Sequence, residues 1–200
     1  MKKIKNIFKN KVTRNASWMI IGRIYQMSLS FVVSMLTARY LGPSNYGLVN
    51  YASSFTSFFS TFCVLGINSV IVKNFIDHPN EEGKTTGSAI GVRMISSICS
   101  VVLIMVATLF LDREERTTHL VVLLLGLGAI PQVFDTLNYW FQAKLESKYA
   151  AIASAIGYTV MMGYKISLLV FQKNVVWFAA ASSIEYLVVA VCLYYNYRRH

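Results

Sequence analysis

Six ionisable residues lie within or at the end of long apolar stretches of the sequence, where an unpaired charge is energetically expensive. They are Arg23, Arg39, Arg93, Asp135, Lys165 and Glu185. The planar guanidinium group of arginine binds phosphate through two parallel hydrogen bonds. We therefore predict a cationic cavity for an anionic head group, formed by Arg23, Arg93 and Lys165, with Arg39 as a further contributor. The two acids are predicted to take up protons or cations there, or to pair with the bases.

The same residues also allow an interpretation without a binding site. The two arginines inside predicted spans lie about two turns from a span end, from where long basic side chains reach the polar interface. Asp135 would then pair with Lys144 or Lys148 on the next connection. Glu185 lies roughly 15 Å into its span, at about 1.5 Å per residue, so that depth favours a functional or internally paired role for Glu185 and Lys165.

The elements that carry these residues are predicted to be transmembrane helices. Of the 200 residues, 55% are hydrophobic and 14% are charged, and the mean hydropathy is +0.49, whereas soluble domains carry about 25% charged residues. After a basic cytoplasmic leader at residues 1–16, six stretches reach the ~20 apolar residues that a span needs. They are residues 17–40, 46–76, 86–111, 119–141, 150–171 and 175–195, with a bend expected in the second at residues 65–68. We therefore predict an all-α polytopic membrane protein with six transmembrane helices forming one lobe.

The distribution of lysine and arginine predicts the orientation of these spans, because cytoplasmic loops carry an excess of both. With both termini inside, twelve of the 19 basic residues fall on the cytoplasmic side and three fall within spans. The remaining four, Arg39, Arg113, Arg116 and Lys173, fall on the opposite side. The net charge of +10 therefore reflects membrane topology, and we expect no nucleic-acid partner.

Groups for covalent catalysis or metal binding do not assemble in this pattern. Serine and threonine are plentiful in the spans, but no histidine is available inside a span as a base. The three histidines are scattered over connections and the C-terminus, which does not suit a metal site. The three cysteines are isolated in apolar stretches. We predict no catalytic residue, no metal and no cofactor, so the chain is not expected to be an enzyme.

Three segments resemble one family of membrane transporters. ARYLGPSNYGL at residues 38–48 is similar to the ARxLGPxxYG segment of Wzx-type polysaccharide and O-antigen flippases, which belong to the MATE-like superfamily. In this segment Gly42 and Pro43 break the helix and form a structural turn. LGINSVIVK at residues 65–73 and YWFQAKLESKY at residues 139–149 resemble the second helix and the stretch after the fourth. In the third segment two residues replace the usual single glycine, so we expect a different local turn.

The resemblance implies a transporter that flips undecaprenyl-diphosphate-linked oligosaccharides across the bacterial inner membrane, for O-antigen, lipopolysaccharide or capsule synthesis. Its MATE-like fold would hold two lobes around a cationic cavity, with this chain as the N-terminal lobe. Partners would be the bilayer, the lipid-linked oligosaccharide, a second lobe of six to eight helices and polysaccharide assembly proteins. Transport would be coupled to a proton or sodium gradient. Arg23 and Arg93 would contact the diphosphate, and Lys165 and Glu185 would line the cavity.

Two other interpretations stay open at this point. Alternating access moves one helical bundle against another, so a six-span chain also fits a truncated or split half that acts only as an interaction module. A less favoured alternative is a membrane-embedded enzyme that modifies glycans.

Overall fold

The computed structural model describes residues 2–64, 67–111 and 116–199. Within those ranges there are helices and turns and no β-strand. The α-helices are α1 (Lys2–Val64), α2 (Ile67–Asp77), α3 (Glu82–Leu111), α4 (Arg116–Leu127), α5 (Ala129–Gln132), α6 (Thr136–Ala143), α7 (Ser147–Val170) and α8 (Val175–Arg199). Short 3₁₀ helices cover Pro79–Glu81 and Val133–Asp135. The prediction of an all-α polytopic protein is confirmed.

Five stretches of the described chain are long and apolar enough to cross a membrane. They are Lys11–Thr61, Glu82–Phe110, Arg116–Ala143, Ser147–Val170 and Val175–Arg199. The first has 51 residues and is therefore about 75 Å long, more than twice the roughly 30 Å of a bilayer core. Six spans were predicted where five stretches are found, because the first predicted span and the larger part of the second lie in this one helical element, while the rest of the second lies in the short helix α2.

The first stretch is interrupted at Gly42, which has a φ of 70° and a ψ of 173°. A positive φ suits glycine, which has no Cβ, and Pro43 follows without a backbone N–H to continue the helix. We refer to residues 2–41 and 43–64 as the N-terminal and C-terminal arms of α1. The bend predicted at residues 65–68 falls on Leu65 and Gly66, which lie outside the described residues, and α2 begins directly after them.

The outer surface of the bundle is strongly apolar. Phe31 on α1 is 72% exposed and Phe110 on α3 is 79% exposed, and many large aliphatic side chains around them are also exposed. Soluble proteins rarely expose continuous apolar surface of this extent. Together with the five apolar stretches, this surface identifies a multi-pass membrane protein.

The N-terminal arm of α1 and helix α7 run in the same direction. The backbone N–H of Ser147, at the start of α7, donates to Asn15 Oδ1 at 2.7 Å. Further along, Tyr25 and Thr159 share a hydrogen bond of 2.9 Å. The first and fifth predicted spans are therefore parallel, as expected for a chain that reverses direction at each span.

Two apolar clusters close the two ends of the bundle. One, the Gly42-end cluster, joins α1, α3, α4, α7 and α8 through Leu41, Ala52, Ile104, Val121, Val122, Leu125, Leu168, Val175, Phe178 and Ala179. The other, the termini-end cluster, lies where α1 starts and α8 ends. It contains Ile71, Phe75, Ala89, Leu137, Trp140, Phe141, Ala150, Ala153 and Leu193. Buried apolar area at both ends holds the helices together, and a smaller third cluster of Val33, Met161, Met162 and Ala181 joins α1, α7 and α8.

The fourth predicted span, residues 119–141, lies within one helical stretch, Arg116–Ala143. The hydrogen bonding changes along it, from α4 through α5 and a 3₁₀ helix to α6, while Gly128, Gln132 and Asp135 keep helical φ and ψ angles. The Gly128 N–H donates to the carbonyl of Leu125 at 3.2 Å, and the hydroxyl of Ser183 on α8 donates to the carbonyl of Leu124 at 2.7 Å. We call residues 128–135 the irregular segment of the fourth span, and it positions the polar residues described next.

Candidate functional site

Three adjoining polar cavities occupy the middle of the bundle, between the two apolar clusters. Their volumes are about 140, 700 and 270 Å³, and we name them the first, second and third cavity. Gln132, in the irregular segment of the fourth span, lines all three. Local departures from regular α-helix at membrane depth are tolerated where they line a cavity.

The first cavity is organised around the guanidinium group of Arg93. This residue is only 8% exposed. Its guanidinium donates a hydrogen bond to Asn68 Oδ1 and lies 5.0 Å from the centre of the Tyr139 ring. Its Nε–H is buried and has no hydrogen-bond partner among the described residues. Because a buried donor is costly to leave unpaired, this N–H marks a place for an acceptor that the described residues do not supply.

Two serine hydroxyls share this property with Arg93. Ser97 and Ser100 line the same cavity and are 9% and 1% exposed, and neither hydroxyl finds a partner within the described ranges. Arg93, Ser96, Ser97 and Ser100 lie at positions i, i+3, i+4 and i+7 of α3, so they form one face of that helix. The first cavity therefore collects unpaired hydrogen-bond donors on one helix face, opposite Asn68 and Tyr139.

The third cavity combines one cation with two acids. Arg23 from α1, Asp135 from the fourth span and Glu185 from α8 all line it, beside Tyr158 of α7. Asp135 accepts a hydrogen bond of 3.2 Å from the amide of Asn138. It also lines the first cavity, where it experiences the charge of Arg93. Asp135 thus connects the two arginine-containing cavities electrostatically.

The two remaining predicted site residues do not line these three cavities. Lys165 is half-buried on α7 and lies near enough to Glu185 for each to influence the other's charge, but the two form no ion pair within 4 Å. Arg39 is exposed near the Gly42 end. Gly42 and Pro43 form the interruption of α1 and lie away from the cavities. The structure therefore brings together Arg23, Arg93, Asp135 and Glu185.

The alternative pairing of Asp135 with lysine is not the arrangement that the structure has. Lys144 Nζ lies 2.9 Å from Glu82 Oε2 and 4.2 Å from the centre of the Trp140 ring. Trp140 Nε1 donates to the same Glu82 oxygen at 2.9 Å. Lys148 lies 5.6 Å from the centre of the Trp18 ring. Both lysines therefore have partners at the termini end, and Asp135 faces the cavities.

Metal-type ligand groups are not clustered in the described part of the chain. No group of three or more histidine, cysteine, aspartate or glutamate residues there is arranged to hold a metal ion. The charged residues that line the first and third cavities are two arginines, Arg23 and Arg93, and two acids, Asp135 and Glu185.

A family model described as "Polysaccharide biosynthesis protein" matches residues 12–200. The chain belongs to this family. No curated protein and no solved structure was found to match it. This family membership agrees with the resemblance of the chain to Wzx-type exporters. The matched range includes every residue that lines the three cavities.

Reasoning from the sequence missed several neutral residues of the site. Asn68, Gln132, Tyr139 and Tyr158 line the cavities but were not predicted, because only residues with a formal charge were considered. One signal was available on α3, where three serines follow Arg93 at helical spacing. No comparable signal in a single sequence indicates that Asn68 and Tyr139, which are 71 residues apart along the chain, meet at the same arginine.

Proposed function

We propose that this chain acts as a flippase that moves a lipid-diphosphate-linked oligosaccharide across the bacterial inner membrane for cell-surface polysaccharide synthesis. The observation that supports it most is the buried guanidinium of Arg93, whose Nε–H lacks a partner among the described residues. A guanidinium in a membrane-embedded cavity suits a phosphate-type anion. Membership of a polysaccharide biosynthesis family supports a lipid-linked glycan as the molecule that carries this anion.

In this proposal the diphosphate binds between the first and third cavities. Arg93 in the first and Arg23 in the third supply the positive charge, and Gln132 and Asp135 lie at the boundary. We leave Arg39 out of the binding set because its exposed position is away from these cavities. No chemical bond is made or broken, so the activity is transport and not catalysis.

The acids of the third cavity are proposed to couple transport to an ion gradient. Asp135 and Glu185 line the same space as Arg23, so binding of a proton or sodium ion to either acid alters the charge that the diphosphate meets. Lys165 balances Glu185 on the other side. We further propose that both termini are cytoplasmic, in line with the positive-inside rule, and that a second helical lobe completes the transport path.

The test replaces the two cavity arginines in a strain that lacks its own flippase and expresses this chain together with its second lobe. Arg23→Gln and Arg93→Gln are each expected to lower the export of surface polysaccharide at least tenfold. A hydrogen bond to a charged group contributes about 1.5–3 kcal/mol, which corresponds to this factor or more. Lipid-linked oligosaccharide should accumulate in the cytoplasmic leaflet. Export is measured by labelling surface glycan in intact cells.

Arg198→Gln is a matched control. Arg198 also lies beside a tyrosine ring, 5.9 Å from the centre of Tyr194, but it lies at the termini end and lines none of the three cavities. Export at the wild-type level in the Arg93→Gln variant, with normal amounts of protein in the membrane, would contradict the proposed function. A loss of export in the Arg198→Gln variant as large as that in Arg93→Gln would show that position in the cavity is irrelevant.

A further inference from the structure

The second cavity differs from its neighbours because it is large and carries no formal charge. Its volume of about 700 Å³ lies within the roughly 300–1,000 Å³ typical of ligand sites. None of the described residues that line it is aspartate, glutamate, lysine or arginine. Six of them are hydroxyl residues on the C-terminal arm of α1, namely Ser53, Ser54, Thr56, Ser57, Ser60 and Thr61. We call this group the hydroxyl face.

The helical register separates the hydroxyl face from an aromatic face on the same arm. At 3.6 residues per turn, all six hydroxyl residues fall within an arc of about 160°. Phe55, Phe58 and Phe59 point to the other side, where Phe55 and Phe59 pack against the Gly42-end cluster. The rings of Phe55 and Phe59 are 5.1 Å apart and those of Phe58 and Phe59 are 5.6 Å apart. The aromatic face therefore fixes the rotation of the arm and turns the hydroxyl face into the second cavity.

The hydroxyl face presents oxygen acceptors at defined positions. Thr56, Ser57 and Thr61 donate to the carbonyls of Ala52, Ser54 and Ser57 at 2.7, 2.9 and 2.7 Å. These internal bonds satisfy the hydroxyl hydrogens, and each oxygen keeps lone pairs that accept further hydrogen bonds.

Donors stand on the other walls of the cavity. Asn68 uses its Oδ1 to accept from Arg93 and keeps its amide hydrogens, while Gln132 and Tyr186 line the opposite side. A neutral wall of hydrogen-bond donors and acceptors matches a neutral sugar, whose hydroxyl groups both donate and accept. Among the described residues this wall has no lysine or arginine that would favour a second anion.

We propose that the second cavity binds the uncharged sugar part of the lipid-linked glycan, and that the hydroxyl face contributes to glycan selection. This inference rests on the proposed function, since the diphosphate would be held by the arginines of the first and third cavities. Asn68 and Gln132 line both the first and the second cavity, so a sugar attached to a diphosphate at Arg93 enters the second cavity directly.

The same face has a competing use as a helix-packing surface. Small residues let membrane helices approach closely, and Ser53, Ser57 and Thr61 repeat every four residues along the arm. The two uses respond differently to substitution. Alanine keeps a packing surface intact but removes an oxygen that a sugar needs, whereas leucine disturbs both.

The experiment compares Ser57 with Ser34 in the purified full chain in detergent. Ser57 is exposed and Ser34 is half-buried. Each donates to the carbonyl three residues earlier, at 2.9 and 3.0 Å, but only Ser57 lines the second cavity. Dissociation constants are measured for two radiolabelled probes. One is undecaprenyl diphosphate, and the other is undecaprenyl diphosphate that carries a neutral N-acetylhexosamine disaccharide.

We expect Ser57→Ala to weaken binding of the disaccharide lipid by about three- to tenfold, the range for one neutral hydrogen bond. Ser57→Leu should weaken it further, because the side chain enters the cavity. Binding of the sugar-free lipid should stay unchanged in both, and Ser34→Ala and Ser34→Leu should bind both lipids as the wild type does.

Other outcomes overturn the inference in distinguishable ways. Equal weakening of both lipids by Ser57→Ala, or no weakening of either, removes the sugar site. If Ser57→Ala has no effect and Ser57→Leu lowers the amount of folded protein, the face is a packing surface. Wild-type chain that binds the two lipids equally well also rejects the sugar site but leaves the proposed function standing. Failure of the wild type to bind either lipid rejects the proposed function, and the sugar site with it.

Discussion

Two groups of polar residues, one at the termini end and one in the middle of the bundle, use their hydrogen-bonding capacity in opposite ways. At the termini end, Glu82 accepts from both Lys144 and Trp140, and the lysine also lies over the indole ring. In the first cavity, Arg93 and Ser100 are more deeply buried than the side chains of Glu82 and Lys144, yet each has a donor without a partner in the described chain.

This difference distinguishes polar residues that stabilise the fold from polar residues that are available to bind a ligand. Groups that satisfy each other add stability and leave nothing to bind. Buried donors that lack partners lower stability, so their retention in a cavity favours a functional role. Stability and activity should therefore respond to different substitutions, as expected where function uses a strained or unsatisfied site.

The largest stability effect should come from Trp140 at the termini end. Trp140 is 5% exposed, and its ring lies 5.0 Å from those of Phe141 and Tyr197. Trp140→Ala should lower the free energy of unfolding by about 3–5 kcal/mol, the usual range for truncating a buried aromatic residue. An SDS titration of purified protein in mixed micelles measures this. Trp177→Ala is the control, because Trp177 is 54% exposed. A comparable loss of stability in that variant would mean that burial of Trp140 in the termini-end cluster does not account for the effect.

Substitution of Gly157 tests whether the close contact between helices α7 and α8 stabilises the middle of the bundle. A Cβ at Gly157 would collide with the side chain of Val189 and come within 3.3 Å of the Glu185 carbonyl. Gly157→Ala should therefore lower the free energy of unfolding by about 1–3 kcal/mol, as overpacking does. Gly163→Ala on the same helix meets nothing within 4 Å, so there the helix preference of alanine should leave stability equal or higher. The same SDS titration distinguishes them, and equal losses would contradict the close contact of α7 with α8.

Two buried hydroxyl groups of α3 should show stability changes of opposite sign. Ser100 and Thr108 are each 1% exposed, but only Thr108 has a partner, the carbonyl of Ile104 at 2.6 Å. Thr108→Val should lower the free energy of unfolding by about 0.5–1.5 kcal/mol, whereas Ser100→Ala should leave it unchanged or raise it by up to about 1 kcal/mol. Only Ser100→Ala should also weaken lipid binding. A stability loss from Ser100→Ala larger than that from Thr108→Val would mean that the serine already has a structural partner.

The sequence predicts the helical class and most spans because length and hydropathy alone determine whether a helix can cross a bilayer. The local change of hydrogen bonding in the fourth span was not predicted, although Pro131 is visible in the sequence, because proline also occurs in regular membrane helices. The change also depends on a neighbouring helix, since the Gly128 N–H donates to Leu125 and Ser183 of α8 donates to the carbonyl of Leu124 instead.

The candidate site was predictable only where burying a charge is expensive. Arg23, Arg93, Asp135 and Glu185 are exceptional in apolar stretches for that reason, and the structure brings them together. Their partners were not predictable, because proximity along the chain is a poor guide between helices. Lys144 was expected near Asp135, nine residues away, yet it pairs with Glu82, 62 residues away.

The smallest effect should come from the Glu82–Lys144 ion pair, although it is the shorter of the two ion pairs among the described residues. Its side chains are 27% and 41% exposed, and partly exposed pairs contribute about 0–1 kcal/mol because water and salt screen them. Glu82→Gln keeps an oxygen that accepts from Trp140 Nε1, so the free energy of unfolding should fall by only about 0.5 kcal/mol, and by less at high salt. Glu81→Gln is the control, because its pair with Lys84 is longer, at 3.4 Å, and more exposed, and no measurable loss is expected. A salt-independent loss of several kcal/mol from Glu82→Gln would show that the charge itself, and not the packing of Trp140, holds the termini end together.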